Sequence, residues 1–374
     1  MKKYLLVSLF FVLGFVHAAP SDDFIIAVDV NSEFTIYELT SIESYNYNID
    51  CDDDGVLEAT ALTGTYTCQY DSAGEYTIRI SDNSGAGVGF TGFTFSQGIQ
   101  TGNAQQVVEL KQWGTHQWSD MNIMFTFCMN MVVTASDSPD LLNVKNMSSM
   151  FFHARIANVD VSNWNVSGVE RMSFMFANTT GWTPDVSNWD VSQVIEMGGM
   201  FQRASAVGLD VSEWDVSSVR NMSRMFFRAS RANPNVSNWN VSEVTDMREM
   251  FRGAISANPD VSAWDTVSLV HADQMFAETV LANPDLNGWD ISSLMSAADM
   301  FSGTALYTPR YDDLLAAWSE RLVPGRSVVF GAGNSNYCDA VNEKELLQDN
   351  GWMISDVGQD CSNDIFFANS FDLF

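Results

Sequence analysis

The chain has 374 residues, with 47 Asp or Glu against 18 Lys or Arg, and its formal net charge is −29. This acidic balance argues against nucleic acid and anionic membrane surfaces as partners, because both would repel the protein. The length allows two or three domains, and the acidic residues are dispersed among apolar ones, which indicates a folded chain rather than a disordered acidic one.

The first residues have the pattern of a secretory signal. Lys2 and Lys3 precede an apolar run over residues 4–16, and small residues follow at Ala18 and Ala19. We therefore predict a signal peptide over residues 1–18 and a secreted or cell-surface protein. The run is too short to cross a bilayer, so no membrane span is expected after cleavage.

Residues 19–97 consist of short runs in which apolar and polar residues alternate, such as FIIAVDV, EFTIYEL and EYTIRI. This pattern predicts an all-β sandwich of six or seven strands. The stretch YNYNIDCDDDG…GTYTCQYDSAGEYTIRISD resembles immunoglobulin-like domains of the polycystic-kidney-disease type. The usual Trp-Gly-Asp-Gly turn of that family is replaced here by Asp52-Asp53-Asp54-Gly55.

The same turn is a candidate calcium site. The spacing D-x-D-x-D-G occurs at Asp50, Asp52, Asp54 and Gly55. This spacing directs several carboxylate oxygens at one hard cation. Position 12 of a full calcium loop would be Ala61 instead of Glu, so the bidentate ligand is missing. We therefore prefer the alternative of an exposed acidic hairpin turn.

From residue 141 to residue 306 one pattern recurs every 25 residues, as in DVSNWDVSQVIEMGGMFQRASAVG. Alternation around WDVSxV predicts a short strand, and the spacing of three and four in VxxMxxMFxxA predicts about two helical turns. A unit this short cannot bury its own apolar face. We therefore expect an α/β solenoid of 25-residue coils with one internal column of tryptophans: Trp164, Trp189, Trp214, Trp239, Trp264 and Trp289.

The repeat DVSNWDVSQV…M..MF..A resembles that of BspA-like bacterial surface proteins, a family related to leucine-rich repeats, and the resemblance spans about residues 107–361. It implies a leucine-rich-repeat-like solenoid outside a cell, and it brings no activity and no catalytic residues.

The two ends of a stack of repeats expose apolar cross-sections that must be covered. Residues 98–140 are interpreted as an N-terminal capping coil. Residues 307–361 are interpreted as an α/β C-terminal cap, with helices near residues 311–322 and in AVNEKELLQ. Residues 362–374 form a tail that resembles the ends of many exported gammaproteobacterial proteins, which implies a role in export or sorting. The alternative is a frayed, partly apolar tail.

Five cysteines are present, and pairs that close short loops are expected to be oxidised in an exported protein. We predict disulfides between Cys51 and Cys68 and between Cys338 and Cys361. Cys128 lies in an apolar run and is interpreted as a buried free thiol.

Basic residues concentrate in three adjacent repeats, at positions that should face solvent: Arg203, Arg220, Arg224, Arg228, Arg231, Arg248 and Arg252. Such a cluster can bind carboxylate, sulfate or a partner protein. The alternative, which we prefer, pairs these arginines with acidic residues on neighbouring coils: Glu196, Glu213, Glu243 and Glu249.

No nucleophile, metal-ligand or phosphate-binding motif stands out, and the histidines of the mature chain, His116, His153 and His271, are far apart in sequence. We therefore expect no enzyme activity and no cofactor, calcium excepted. The preferred function is binding of protein or polysaccharide at a cell surface. The alternative is a structural or matrix component that self-assembles, and a carbohydrate-active enzyme comes third. The sequence gives no oligomeric state.

Overall fold

The computed structural model describes residues 22–39, 45–96, 103–154 and 159–362. The predicted signal peptide, residues 1–18, lies outside these ranges. So does the predicted tail, residues 362–374, except for Ser362. Neither α-helix of the described chain has the length and apolar character that crossing a membrane requires.

The N-terminal part is a β-structure. Its strands within residues 22–96 are β1 (Phe24–Val30), β2 (Glu33–Ile36), β3 (Tyr47–Asp50), β4 (Ala59–Leu62), β5 (Tyr66–Gln69) and β6 (Gly74–Asp82). Two further strands are β7 (Val107–Gln112) and β8 (Val132–Val133). One six-stranded sheet has the order β4-β3-β6-β1-β7-β8, and β2 pairs with β5 in a separate two-stranded sheet.

The six-stranded sheet does not end at residue 97. Strand β7 pairs antiparallel with β1, and β8 pairs parallel with β7, so residues assigned above to a capping coil complete the sheet. The side chain of Phe24 on β1 contacts Phe93 at 4.9 Å and Trp118 at 5.5 Å between ring centroids. The N-terminal sheet and the start of the repeats therefore share one apolar core.

The predicted α/β solenoid is wrong. Within the described residues of 141–306 there is no α-helix, and the only strand is β9 (Ser296–Ala297). The chain as described is mostly strands, turns and loops arranged in several small sheets. Both of its α-helices, α1 (Thr308–Glu320) and α2 (Val341–Asp349), follow the repeats.

Left-handed residues explain why the repeat is not helical. In each of the seven units from Met147 onward, two residues have φ between 52° and 73°. They lie two and six positions after the first residue of the MxxMF motif, which is Ala272 or Ala297 in place of Met in the last two units. An α-helix requires negative φ at every residue, so these positions interrupt it twice within two turns. The apolar residues that lie three and four positions apart are therefore placed by consecutive tight turns and not by a helix.

Backbone N–H groups of the repeat donate alternately to the next unit and to their own unit. Met147 N–H donates to the carbonyl of Arg171 at 2.9 Å in the next unit, whereas Met150 N–H donates back to Met147 at 3.2 Å within its own unit. One isolated parallel β-bridge joins each pair of units, as between Asn146 and Arg171. The bridge lies just before the MxxMF motif, so the strand predicted around WDVSxV is not present.

The apolar columns of the repeat are buried. Phenylalanine rings of successive units, from Phe125 to Phe301, stack nearly parallel with centroids 5.5–5.9 Å apart. The six repeat tryptophans have only 1–5% of their surface exposed, as predicted. From Trp189 to Trp289, each indole N–H donates to a valine carbonyl of the preceding unit at 2.9–3.1 Å.

After the repeats, the chain forms a small mixed region. It contains the remaining strands β10 (Val329–Gly331), β11 (Asn336–Tyr337), β12 (Met353–Ser355) and β13 (Gly358–Gln359). Strands β9, β10 and β12 form a parallel sheet in the order β12-β10-β9, and β11 pairs with β13. Strand β9 belongs to the last repeat, so the series of parallel bridges continues into this region.

Candidate functional site

One face of the repeats carries side chains that differ from unit to unit. We call it the ladder face and define it as the residues one, two, five and six positions after the first residue of each MxxMF motif, with Ala272 and Ala297 as that first residue in the last two units. The interior columns of Met, Phe and Trp hardly vary along the chain, whereas the ladder face changes from aromatic to basic to acidic. A face that varies on a constant scaffold is where specific contacts can be encoded.

Two of the four ladder-face positions are the left-handed ones. Glycine occupies them at Gly199, Gly253 and Gly303, but other units place bulky residues there, including Phe174 with φ 57° and Arg228 with φ 53°. A residue with a Cβ costs about 1–2 kcal/mol in this conformation relative to its right-handed form. These side chains are therefore present despite a steric cost that glycine would remove.

The N-terminal end of the ladder face is aromatic. The half-buried ring of Phe152 lies 4.5 Å from the ring of His153 and 6.5 Å from that of Phe174, and Phe127 lies 5.3 Å from His153. A Cβ at Gly199 would come within 2.3 Å of the Phe174 ring. Glycine at 199 thus allows the Phe174 ring to lie across the backbone of the next unit.

The central part of the ladder face is built around Phe227. Three guanidinium groups lie over its ring, those of Arg203 at 5.7 Å, Arg228 at 5.3 Å and Arg252 at 5.8 Å. Such contacts stabilise by about 0.5–1 kcal/mol each at exposed sites. Sequence reasoning missed Phe227, although Phe152 at the equivalent position three units earlier was a signal that this column can carry an aromatic ring.

Carboxylates pair with four of the seven arginines of the predicted cluster. Arg224 contacts Glu249 at 2.6 Å, and Arg252 contacts both Glu249 at 3.2 Å and Glu278 at 3.0 Å. Arg228 lies 3.9 Å from Glu278. Of the acidic partners expected from the sequence, only Glu249 pairs with these arginines in the described chain, and Glu278 was not anticipated.

The remaining predicted arginines differ in their surroundings. Arg248 pairs with Asp246 at 2.5 Å, and the hydrogen bond between them raises the pKa of the guanidinium. Arg203 is exposed and has no carboxylate partner among the described residues, so its positive charge is available on the ladder face. Arg220 and Arg231 are also exposed. Neither makes a ring contact or ion pair with the described chain, and neither is part of the group around Phe227.

The candidate calcium residues do converge. One carboxylate oxygen from each of Asp50, Asp52, Asp54 and Glu58 lies within 4.8 Å of the others. Asp50 is buried and accepts a hydrogen bond from Gly55 N–H at 2.9 Å. Glu58 accepts from Cys51 N–H at 2.6 Å. Clustered carboxylate oxygens are the ligands that calcium prefers, so the donor set fits this ion, and calcium binding stays a prediction.

The repeat region matches a known protein family. Residues 94–208 and 205–313 match the family described as "Mycoplasma protein of unknown function, DUF285". Together the two matches cover more than half of the chain. The chain belongs to this family. No curated protein and no solved structure matches the chain.

The DUF285 matches contain the ladder face, whereas the acidic turn and both disulfides lie outside them. The two predicted disulfides are confirmed: Cys51 bonds to Cys68, and Cys338 bonds to Cys361. Cys128 is a buried free thiol, and burial raises its pKa well above the ordinary value. A thiol held neutral in this way is a poor nucleophile.

Proposed function

We propose that this member of the DUF285 family is an exported, non-catalytic protein that binds a protein or polysaccharide through its ladder face. Stacked units place side chains on a regular grid, and extended grids of this kind suit ligands that are themselves extended. The net charge of −29 disfavours nucleic acid as the ligand.

The bulky residues at left-handed positions carry this proposal. The same backbone accommodates Gly199 in one unit and Phe174 or Arg224 in its neighbours, so folding alone does not require the larger side chains. Residues kept in a costly conformation tend to serve function, since stability would favour their loss. On the ladder face they supply rings and guanidinium groups, which are the side chains most often central to binding surfaces.

Export is supported by the predicted signal peptide and by the disulfides. Disulfide bonds persist in oxidising compartments and are rare in the reducing cytosol. Both bonds lie in the parts of the chain that flank the DUF285 matches. We place the mature protein outside the cell, either secreted or at the cell surface.

The binding proposal can be tested with two sets of variants on a glycan and protein array. The first set combines Phe174→Gly, Arg203→Gly and Arg228→Gly, all at left-handed positions. Glycine relieves the steric cost there, so these variants should unfold close to the wild-type temperature while losing array ligands. The control combines Ser149→Gly and Asn178→Gly, which remove small side chains from equivalent positions. Equal binding by wild type and the first set would reject the ladder face.

The alternative of a self-assembling structural component rests on a different feature. Strand β12 is the outer strand of its described sheet, and Met353 on it has 59% of its surface exposed. An open strand edge can pair with a second chain. Static light scattering against concentration distinguishes the two functions, because mass that grows with concentration favours assembly and a constant mass favours ligand binding.

A further inference from the structure

An open cavity of about 540 Å³ lies where the last repeat meets α1. Its apolar wall includes Leu306 and Pro309, beside the ring of Tyr307, a residue with 64% of its surface exposed. Its polar lining includes Thr308 and five larger side chains: Asn283, Arg310, Asp313, Asn334 and Asn336. An apolar surface with a few converging polar groups is the usual form of a small-ligand site.

A series of asparagine side chains, hydrogen-bonded from one unit to the next, positions part of this cavity. The side-chain oxygen of Asn233 accepts from Asn258 N–H at 3.1 Å, and that of Asn258 accepts from Asn283 N–H at 3.5 Å. This asparagine series ends where the side-chain oxygen of Asn283 accepts from Tyr307 N–H at 3.2 Å, directly before α1. The oxygen of Asn283 is thereby used, and its amide N–H₂ has no partner among the described residues.

Another lining residue contains an unsatisfied acceptor. The side-chain oxygen of Asn336 is buried and has no hydrogen-bond partner in the described chain. Its backbone is fixed, because β11 pairs with β13 through Asn336 and Gly358. A buried acceptor without a donor is unfavourable unless a ligand or water supplies one.

The charges around the cavity define what it can hold. Arg310 is neutralised by Asp285 at 2.6 Å, whereas Asp313 has no ion pair or hydrogen bond within the described residues. The cavity thus offers N–H donors from Asn283 and Arg310, acceptors at Asp313 and Asn336, and one unbalanced negative charge. An anionic ligand is disfavoured, and a ligand rich in groups that both donate and accept is favoured.

We propose that this cavity binds a neutral sugar residue, with its hydroxyl groups on Asp313 and the three asparagines and its C–H face against Tyr307. Hydroxyl groups both donate and accept, which matches the mixed polar lining. None of the residues that line the cavity belongs to the ladder face, so the cavity is a second binding site, additional to the one proposed above. A second groove, lined by Asn258, Asp260, Asn283, Asp285 and Arg310, adjoins the cavity and can accommodate the next sugar of a chain.

The test uses calorimetric titration of the full mature protein with neutral oligosaccharides of glucose, mannose, galactose and N-acetylglucosamine. We expect one of these sugars to bind, and Asp313→Asn or Asn336→Leu to weaken its affinity roughly tenfold or more, since each removes a hydrogen-bond acceptor. Tyr307→Ala should weaken it too. Glu320→Gln, an exposed change elsewhere on α1, is the matched control and should bind as wild type. Thermal unfolding of each variant confirms that it is folded.

Several outcomes would overturn the inference. One is the absence of binding by every sugar at millimolar concentration, and another is binding that Asp313→Asn, Asn336→Leu and Tyr307→Ala leave unchanged. Preference for a cationic amine over sugars would also reject it. The ladder-face variants separate this result from the broader function: array ligands lost with Phe174→Gly, without sugar binding at the cavity, reject only the cavity.

Discussion

The indole N–H of Trp318, on α1, donates to the carbonyl of Leu286 at 3.2 Å. Leu286 occupies the same position in its unit as the valines that accept from the repeat tryptophans. Helix α1 therefore continues the series of indole-to-carbonyl hydrogen bonds, with a tryptophan that lies outside the 25-residue spacing. Through this bond and its complete burial, Trp318 joins α1 to the last repeat.

Replacing Trp318 by Phe should reduce the free energy of unfolding by about 1–3 kcal/mol beyond the effect of the smaller ring, because the Leu286 carbonyl loses its donor. Trp164→Phe is the matched control, since the Trp164 indole donates no hydrogen bond to the described residues and is similarly buried. Urea denaturation of both variants measures the difference. Equal losses for the two variants would show that the hydrogen bond contributes nothing.

Gly199→Ala should destabilise the protein by about 2–4 kcal/mol. The alanine would have to keep the left-handed backbone conformation of Gly199, with φ 64°, and its Cβ would lie 2.3 Å from the Phe174 ring. In a Phe174→Gly background the clash is absent, and only about 1–2 kcal/mol should remain. A double-mutant cycle by chemical denaturation measures this coupling. Additive effects of the two changes would contradict the predicted contact.

Calcium should bind at the acidic turn and raise the unfolding temperature of the full chain, because the ion would bind the folded carboxylate cluster and not the unfolded chain. Glu58→Gln and Asp54→Asn should each weaken this effect. Asp71→Asn, an exposed acidic residue outside the cluster, should not. Calorimetric titration with calcium gives the affinity directly, and no heat at millimolar calcium would remove the site.

Stability should fall as the pH drops below 6.5 because of His116. Burial, partly opposed by the charge of Asp23, lowers the pKa of this imidazole from its ordinary 6.5. The unfolded state therefore binds a proton first, so the contribution is complete above pH 6.5 and is lost as the pH falls toward the folded pKa. The slope is at most about 1.4 kcal/mol per pH unit.

His116→Phe should flatten this part of the pH profile, because the variant has no imidazole to protonate at that position. Urea denaturation of wild type and variant between about pH 7.5 and 5.5 tests it, since ordinary carboxylates titrate mainly below this range. Parallel profiles for the two proteins would show that His116 is not responsible for the slope.

The interior of the repeats could be predicted from the sequence, because burial selects the same side chain at the same place in every unit. Trp214 and Trp239 are 25 residues apart and their rings lie 6.5 Å apart, nearly parallel. The local conformation could not be predicted in the same way. Residues such as Phe174 and Arg224 do not favour left-handed φ, so the signal was limited to Asn178 and to the three glycines at these positions: Gly199, Gly253 and Gly303.

The candidate site was predictable as a group of arginines but not in its pairing. Arg228 meets Glu278, which is two units further along the chain, because side chains at left-handed positions reach across a neighbouring unit. Spacing within one unit does not contain this information. The four oxygens of the acidic turn converge partly through Glu58. This residue stands at position 9 of the calcium-loop pattern that begins at Asp50, so the pattern could have indicated it.

The hydrogen bonds that run from each unit to the next have a consequence for how long such a molecule can be. Met222 donates to Asp246, and Met247 donates to His271, through the same backbone positions. A duplicated block of 25 residues would therefore meet an identical neighbour on both sides. Gene-level duplication or deletion of whole blocks can change the number of units while the N-terminal sheet and the region that contains α1 and α2 keep their own folds.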